Sequence, residues 1–307
     1  SPRLCVADDN SVIVTWCENY ANLNFQRIAS DGSLLWGNDG INITDPNANI
    51  MSPLPRISAG GNLLVQWIRQ VGNFPAVSSE VMLQGYDLEG TSLWPAISTG
   101  SLTGFPMGNW NQNCIIDASG GNFSSWTELA GNSQTAKLRH LDGDGNLSWA
   151  SPVEVSTESS HFRMSPQLAN SGTSQNVYAV WNESDAGQSN RGLVGQFVNS
   201  EGSRQWGDSG IAFEPLGSSV FLDLGASNFD QDLVSVYIKE LSNGSLDIHA
   251  SRMNPSGSFI WDGNTVVVTN SGTPKSDLTL SSGPGCKFLS WTENGSIRAH
   301  CLLEDGS

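Results

Sequence analysis

A glycine followed four residues later by tryptophan recurs along this chain at a nearly constant interval. The five copies are Gly32–Trp36, Gly90–Trp94, Gly145–Trp149, Gly202–Trp206 and Gly257–Trp261, and Gly306 begins a sixth. The interval of about 55 residues is typical of arrays in which each repeat buries its apolar face against the next repeat. The sequence therefore predicts six repeats, with boundaries near 1–50, 51–109, 110–162, 163–217, 218–274 and 275–307.

Every repeat but the last contains four short runs of alternating apolar and polar residues, bounded by Gly, Asn and Asp, which is typical of β-strands. We term these runs strands A to D; in the first repeat they are Arg3–Val6, Val12–Trp16, Asn24–Ile28 and Leu34–Thr44. The last repeat stops after strand C, Ile297–Leu302. The predicted fold is an all-β, six-bladed β-propeller in a single domain, with four-stranded antiparallel blades and a last blade lacking its own fourth strand. We expect a segment outside residues 1–307, from a longer polypeptide or a complex, to supply that strand, or the open edge to be covered.

Strand B ends in an aromatic residue in every repeat. These residues are Trp16, Trp67, Trp126, Trp181, Tyr237 and Trp291. A large flat side chain at one place in each four-stranded unit is suited to packing one sheet onto the next. This favours a structural role over a ring of sugar-stacking tryptophans. Only Trp110 lies outside both tryptophan registers.

Two further motifs accompany the aromatic residues. An acid lies two positions after the strand B tryptophan, at Trp16/Glu18, Trp126/Glu128, Trp181/Glu183 and Trp291/Glu293. Strand C carries Gln26 and Arg27 in the first repeat, with Gln84 and Gln196 at matching positions. Together these motifs resemble the tandem repeats of secreted bacterial β-propellers, and the resemblance covers the whole chain.

The resemblance implies a secreted propeller, but two features differ from the pattern. Repeats two and five carry Arg69 and Lys239 in place of the acid. The turn between strands C and D also resembles the Asp-box hairpin of sialidases, in which the spacing from glycine to tryptophan is one residue shorter. That hairpin implies a blade and does not imply an activity.

Cysteine usage favours an oxidising compartment. Cys5, Cys17, Cys286 and Cys301 lie in the first and last repeats, which would be neighbours if the array closes into a ring. The sequence predicts one or two disulfides there. The best pair is Cys286 with Cys301, which face each other across a B–C hairpin, and Cys5 with Cys17 is the next candidate. Cys114 lies in an apolar strand, where a buried free thiol is expected.

Composition narrows the choice of partners. The net charge of -16 arises from 30 acidic and 14 basic residues, so the surface repels phosphate backbones and nucleic acid is excluded as a partner. Such a charge favours solubility in an extracellular or salty medium, and a cation-binding role is the alternative. No run reaches the length of about 20 apolar residues that a membrane-spanning helix requires. We expect an extracellular, cell-surface or periplasmic protein with no cofactor and no metal.

The longest loops predict a binding surface. In an antiparallel four-stranded blade, the B–C loops and the D–A connections emerge on the same face. The longest of each kind, Arg69–Glu80 and Ser98–Gln112, would be adjacent on one rim. Their large side chains outside the core registers are Phe74, Phe105, Met107, Asn109 and Trp110.

The connection into repeat four adds His161 and Arg163 to this rim. Exposed apolar groups on a rigid scaffold indicate a ligand or partner surface, which would include Arg69 and centre on Trp110. The alternative is that the aromatic residues fold back to cover their own loops.

The glutamates after strand B allow two interpretations. They could form an acidic ring that holds a cation or a basic ligand, or each could pair with Arg27, Arg139, Arg298 or a loop amide. Pairing is favoured because half-buried acids usually have partners. No nucleophile elbow, zinc-protease helix or phosphate loop is present, so no catalytic residue is predicted.

The predicted function is therefore a non-enzymatic binding or assembly module for a protein or a glycan. The alternative is a carbohydrate-active protein, either a lectin or a glycosidase with carboxylates from different blades.

Overall fold

The computed structural model describes residues 2–73, 76–103, 112–130, 133–172, 175–283 and 285–307. Within these ranges the chain forms 23 β-strands in six antiparallel sheets. Five sheets have four strands in the order A–B–C–D, and the sixth has three. Among the described residues, no helix is long and apolar enough to cross a membrane.

The first three sheets follow the first three repeats. Sheet I comprises β1 (Arg3–Val6), β2 (Val12–Glu18), β3 (Asn22–Ile28) and β4 (Ile41–Thr44). Sheet II comprises β5 (Asn49–Ile57), β6 (Leu63–Val71), β7 (Ser78–Tyr86) and β8 (Ile97–Thr103). Sheet III comprises β9 (Gln112–Ile116), β10 (Asn122–Ala130), β11 (Ser133–Leu141) and β12 (Val153–Glu154).

The last three sheets follow repeats four to six. Sheet IV comprises β13 (His161–Asn170), β14 (Val177–Asp185), β15 (Arg191–Val198) and β16 (Ile211–Gly217). Sheet V comprises β17 (Val220–Phe229), β18 (Asp232–Glu240), β19 (Leu246–Met253) and β20 (Val266–Thr269). Sheet VI, from the repeat for which the sequence predicts no fourth strand, comprises β21 (Lys275–Gly283), β22 (Cys286–Glu293) and β23 (Ser296–Leu303).

The chain forms two compact units, residues 1–131 with 137–153 and residues 132–136 with 154–307. In the first unit, apolar side chains of sheet I pack on sheet II. In the second unit, sheet IV packs on sheet V and sheet V packs on sheet VI. The core therefore lies between successive sheets, as the repeat pattern predicts.

The aromatic residue at the end of strand B is part of this core. The side chains buried in this register are Trp67, Trp126, Trp181, Tyr237 and Trp291. The structural interpretation of the strand B aromatics is confirmed for these five repeats. Trp16, in sheet I, is only half-buried.

In repeats one, four and five, the tryptophan after the turn forms a hydrogen bond with the next repeat. Its indole Nε1 donates to a backbone carbonyl two residues before the next turn glycine: Trp36 to Leu88 (3.0 Å), Trp206 to Pro255 (2.9 Å) and Trp261 to Glu304 (2.9 Å). The approach is so close that a methyl group on Gly145 would lie 2.6 Å from Trp94 Cδ2. The tryptophan of one repeat therefore packs against the turn of the next repeat, and the glycine in that turn leaves room for the indole.

Strand C holds the tryptophan segment in place. Gln26 Nε2 donates to the Gly37 carbonyl at 2.7 Å, while its Oε1 accepts from the Trp36 backbone N–H at 3.2 Å. Gln196 makes the same two contacts, to Gly207 at 2.9 Å and to Trp206 at 2.8 Å. The strand C glutamine is thus a structural clamp on the backbone.

Strand D begins later than predicted. In the first repeat, β4 begins at Ile41 and not at Leu34, which forms only an isolated bridge with Ile28. The same delay occurs in the fifth repeat, where Phe259 bridges Met253 and β20 begins at Val266. The chain leaves the sheet between these points because the tryptophan must reach the next repeat, and a continuous strand would keep it in its own sheet.

The predicted disulfide between Cys286 and Cys301 is confirmed, with a Cα–Cα distance of 5.8 Å. Cys5 and Cys17 are free thiols, so that predicted disulfide is wrong. The register explains this: Cys5 is opposite Ile13, and Cys17 lies four residues further along β2, about 13 Å away at the usual strand rise. Cys114 is the expected buried free thiol, and burial raises the pKa of its thiol.

Candidate functional site

The candidate site residues lie where strand B ends. Two positions after its aromatic residue, each repeat places an ionisable side chain, which we call the B-terminal residue. The six B-terminal residues are Glu18, Arg69, Glu128, Glu183, Lys239 and Glu293. Strand B reaches this position at the same end of every sheet, so the scaffold holds one variable position in a constant geometry.

In repeat four, Glu183 binds both an indole and an imidazole. Its Oε2 accepts from Trp181 Nε1 at 2.9 Å, and its Oε1 lies 2.7 Å from His161 Nδ1. Glu183 is buried, whereas the His161 side chain is 26% exposed. The carboxylate thus fixes the orientation of an imidazole that solvent can reach, an arrangement able to position a proton donor or acceptor.

Arg163 adds a buried cation to this cluster. It lies two residues after His161 on β13, so the two side chains share a face of the sheet. One Nη1 hydrogen bond goes to the Glu158 carbonyl, and the buried Nε has no hydrogen-bond partner in the described residues. Burial lowers the pKa of Arg163, while Glu154, Glu183 and Glu158 act in the opposite direction.

In repeat five the acid comes from the preceding repeat. Glu214, on β16, accepts from the Tyr237 hydroxyl at 2.8 Å and from Lys239 Nζ at 2.7 Å. The hydrogen bond from the Tyr237 hydroxyl to Glu214 therefore takes the place of the hydrogen bond from Trp181 Nε1 to Glu183 in repeat four. The lysine that departs from the motif is paired with a carboxylate across the repeat boundary.

In repeat two, a basic residue again stands at the acidic position of the motif and pairs with carboxylates from other strands or loops. Arg69 Nε donates to Asp45 Oδ2 at 2.7 Å, and its Nη1 donates to Glu80 Oε2 at 2.9 Å. Asp45 precedes β5 and belongs to the first repeat, whereas Glu80 lies on β7. Arg69 remains partly exposed between two acids, which hold its guanidinium in a fixed orientation.

In repeat six, two hydroxyls, an indole and a lysine surround the Glu293 carboxylate. The hydroxyls of Ser271 and Thr273 donate to Oε1, and Trp291 Nε1 donates to Oε2 at 3.1 Å. Lys275 Nζ lies 3.7 Å from Oε1. The Ser271 and Thr273 hydrogen bonds, with smaller contributions from Trp291 and Lys275, lower the pKa of Glu293 to about 2.

The partnered interpretation holds for Glu128, Glu183 and Glu293, although most of the partners differ from those expected. Glu128 forms an ion pair with Lys137 at 2.9 Å, and Glu18 is exposed. Of the three expected arginines, Arg298 reaches Glu293 only at 4.0 Å, while Arg27 pairs with Asp9 at 2.6 Å.

The structure places the predicted surface residues as follows. Arg69 lies on β6 in the first unit, while His161 and Arg163 lie on β13 in the second and share the Glu183 cluster. His161 and Arg163 were expected in a connection, but β13 extends to the start of this segment. The other predicted residues lie outside the described ranges: Phe74, Phe105, Met107, Asn109 and Trp110.

Sequence reasoning did not single out Asp45 and Glu214, which complete the clusters of repeats two and five. A signal was present, because a basic residue at the acidic motif position requires a carboxylate from elsewhere when it is half-buried. Within the described residues, no group of three or more His, Cys, Asp or Glu side chains could hold a metal ion.

The antiparallel sheets, packed in sequence order within each unit and linked there by turn tryptophans, define an all-β protein with the β-propeller fold. Its ionisable side chains at the strand B ends are held by partners within and between repeats.

Comparison with solved structures supports this fold. Over 97% of its length the chain resembles a protein of unknown function from Dyadobacter fermentans DSM 18053, with a TM-score of 0.57, 10% identity and 92% of that protein covered. It is also similar to the polysaccharide lyase Uly1 (TM-score 0.57, 8% identity, 98% of this chain and 77% of that one). The Hadza microbial sialidase Hz136 gives a TM-score of 0.51 at 12% identity, over 98% of this chain and 65% of that one. No protein-family model and no curated protein sequence matches the chain.

Proposed function

We propose that this chain is a six-bladed β-propeller that acts outside the cytoplasm as a non-enzymatic binding module. It binds a protein or a glycan through the rim at which its B strands end. One observation carries the proposal: the B-terminal residue changes charge from repeat to repeat while the scaffold around it stays the same. The disulfide between Cys286 and Cys301 supports an oxidising compartment, either extracellular, cell-surface or periplasmic.

Some positions of the repeat are constant, whereas the B-terminal position varies in charge. The turn glycines and turn tryptophans recur at places where one repeat contacts the next repeat. No such requirement fixes the B-terminal charge, since Glu183 and Lys239 are both accommodated by changing the partner. Different charges on equivalent positions of a rigid scaffold create a patterned surface, and such a pattern gives specificity toward one ligand.

Within this rim we place the contact surface at Arg69 and the long loops of repeats two and three. Trp110 is the proposed anchor, because it is the one tryptophan outside both structural registers, and it adjoins Asn109 in sequence. Phe74, Phe105 and Met107 lie in the same loops and would add apolar area. A tryptophan beside an amide suits a sugar face or a protein hot spot.

A binding screen against glycans and extracellular protein fractions tests the proposal, followed by Trp110→Ala and Arg69→Gln in the purified chain. Trp110→Ala should weaken binding by more than about tenfold, since truncation of such an anchor removes about 2 kcal/mol or more. The matched control is Leu4→Ser, which changes an exposed apolar residue of sheet I. If Trp110→Ala lowers the melting temperature and leaves binding intact, the anchor assignment is wrong.

A second candidate function is a carbohydrate-active protein. The observation that favours it is the partly exposed imidazole of His161, oriented by Glu183 at 2.7 Å and accompanied by Arg163. An oriented imidazole can transfer a proton, and a guanidinium can bind a sugar carboxylate. Turnover of oligosaccharides that is lost in His161→Gln, and retained in the exposed variant Glu18→Gln, would establish this function and overturn the non-enzymatic proposal.

A further inference from the structure

Lys287, on β22, is a buried amine at a position that is uncharged in every other repeat. It lies four residues before the strand B tryptophan of repeat six and is 7% exposed. The residues at the same position in the other five repeats are Val12, Leu63, Asn122, Val177 and Leu233. The repeat pattern therefore does not require an amine at this place, and burying one costs free energy unless it is paired.

The other three lysines of the chain are paired with carboxylates. The distances from Nζ to the carboxylate oxygen are 2.9 Å for Lys137–Glu128, 2.7 Å for Lys239–Glu214 and 3.7 Å for Lys275–Glu293. Lys287 Nζ donates to the Ser282 hydroxyl at 2.9 Å and forms no ion pair with any residue that the structure describes. Its ammonium form therefore lacks the counter-charge that stabilises the other three.

An aromatic ring is the second neighbour of this amine. Lys287 Nζ lies 5.1 Å from the centroid of Phe229, and the guanidinium of Arg252 lies 5.4 Å from the same centroid. Arg252 also pairs with Asp232 at 2.8 Å and with Glu304 at 3.0 Å. Of the two cations over this ring, only Arg252 is therefore held by acids.

Burial changes the reactivity of the Lys287 side chain. Loss of solvent lowers the pKa of its amine, and the negative charge of Asp230 acts in the opposite direction. A lowered pKa leaves a larger fraction of the amine unprotonated at neutral pH, and the unprotonated form is the nucleophile.

Lys287 lines a cavity between sheets V and VI, within the second unit. Its volume of about 240 Å³ is below the range of about 300–1,000 Å³ in which drug-sized ligands bind. Asn228, Asp230 and Glu304 contribute polar side chains to the lining, and Phe229 contributes the aromatic one. The two carboxylates disfavour an anion, so the cavity suits a small, polar and uncharged molecule.

We propose that Lys287 is a covalent attachment site for short hydroxyaldehydes, which form an imine with its Nζ inside this cavity. The site is separate from the rim at which the B strands end, since it lies four residues before the tryptophan and not two residues after it. It therefore does not depend on the binding function proposed for that rim.

The reaction needs no co-reactant other than the aldehyde. The unprotonated Nζ adds to the carbonyl carbon, and a proton passes from the nitrogen to the carbonyl oxygen by way of solvent. The resulting carbinolamine loses one molecule of water as the C=N bond forms. The hydroxyl group of the aldehyde can donate to the carboxylate of Asp230 or Glu304 in the same lining.

The experiment compares the four lysines in one protein. The purified chain is incubated at pH 7 with limiting glycolaldehyde and sodium cyanoborohydride, which reduces the imine to a stable secondary amine, and peptide mass spectrometry measures modification at each lysine. Lys287 should react at least about tenfold faster than Lys137 or Lys239, because each unit of pKa lowering raises the unprotonated fraction about tenfold. Exposure alone predicts the opposite order, since the Lys137 and Lys239 side chains are each 19% exposed.

A pair of matched variants tests the electrostatics of the cavity. Asp230→Asn should raise the rate at Lys287 by about twofold or more, because Asp230 favours the ammonium form. Asp223→Asn is the control, since Asp223 also has a positive φ, 43° against 50° for Asp230, and does not line the cavity. Asparagine adopts this backbone conformation readily, so both variants should fold.

Two further reactions separate the cavity from the amine itself. In guanidinium chloride the four lysines should react at similar rates, because the unfolded chain has no cavity. Oxidised dextran, a polymeric aldehyde too large for the cavity, should show no preference for Lys287 in the folded protein. Equal or slower reaction of Lys287 with glycolaldehyde in the folded protein would overturn the proposal. A preference for Lys287 that persists in guanidinium chloride or with oxidised dextran would also overturn it, because neither reaction uses the cavity.

Discussion

Lys239 and Glu214 form an ion pair of 2.7 Å across the boundary between repeats four and five. Lys239 occupies a position that is acidic in four other repeats, and the acid it replaces reappears on the last strand of the preceding repeat. Both side chains are mostly buried, so the pair behaves as a unit. The array thus tolerates a reversed charge at the B-terminal position only where a neighbouring repeat supplies the counter-charge.

This relationship predicts the effect of restoring the motif. Lys239→Glu should destabilise the protein by about 2 kcal/mol, because it brings a second carboxylate next to Glu214 in a poorly solvated place. The double variant Lys239→Glu with Glu214→Lys should recover more than half of that loss. Urea unfolding of both single variants and the double variant gives the coupling energy. Strictly additive changes would show that the pair is not coupled.

The contact between repeats at the turn glycine gives a second prediction. Gly145→Ala should destabilise the protein by about 2 kcal/mol more than Gly32→Ala. Both glycines have positive φ, 82° and 87°, so both variants carry the same backbone penalty of about 1 kcal/mol. Only at Gly145 would the new methyl group meet the rigid ring of Trp94, at 2.6 Å, whereas among the described residues nothing lies within 4 Å of it at Gly32.

Thermal or urea unfolding of the two variants measures this difference directly. Gly32 is the matched control because it occupies the same turn position in its own repeat. Equal destabilisation would mean that the tryptophan moves aside, and that the close approach does not constrain the sequence.

The periodic pattern was sufficient to predict the strands, their antiparallel order and the burial of the strand B aromatics. Each of these follows from residues that occur at the same place in every repeat. The start of strand D was not predictable in this way, because the alternation from Leu34 to Thr44 continues through a segment that leaves the sheet. The tertiary contact of Trp36 with the Leu88 carbonyl, 52 residues away, determines that departure.

The candidate site was predicted only in part, for a related reason. Arg69 and His161 stood out as residues that depart from the repeat or adjoin a long loop. Their partners Asp45 and Glu183 could not be assigned from spacing alone, because pairing across strands depends on register and on which repeat faces the position. The sequence did predict the link between Cys286 and Cys301, since both lie within one hairpin whose register is fixed by a short turn.

The cysteines provide a third prediction. Titration of the denatured, non-reduced protein should find three free thiols, Cys5, Cys17 and Cys114. Removing the disulfide with Cys286→Ala and Cys301→Ala should destabilise the protein by about 3 kcal/mol, the chain-entropy value for a closed loop of this size. Cys5→Ser serves as the control for loss of a thiol that forms no disulfide. A count of one thiol would show that Cys5 and Cys17 are also joined.

The last prediction concerns acid stability and Glu293. The hydrogen bonds from Ser271 and Thr273 lower its folded-state pKa to about 2, below the value of about 4.3 expected in the unfolded chain. The folded state binds this proton less readily than the unfolded state does. The ionised carboxylate therefore makes its full contribution to stability at pH values above the unfolded-state pKa. That contribution is lost as the pH falls from about 4.3 toward 2. Glu293→Gln should therefore be less stable than the unchanged protein at pH 7, and the difference should shrink steadily as the pH falls through this range. Urea midpoints at several pH values measure the trend, with Glu18→Gln as the control because Glu18 occupies the same motif position but is exposed. A difference that stays constant from pH 7 to pH 2.5 would show that the loss reflects packing of the side chain, and not its charge.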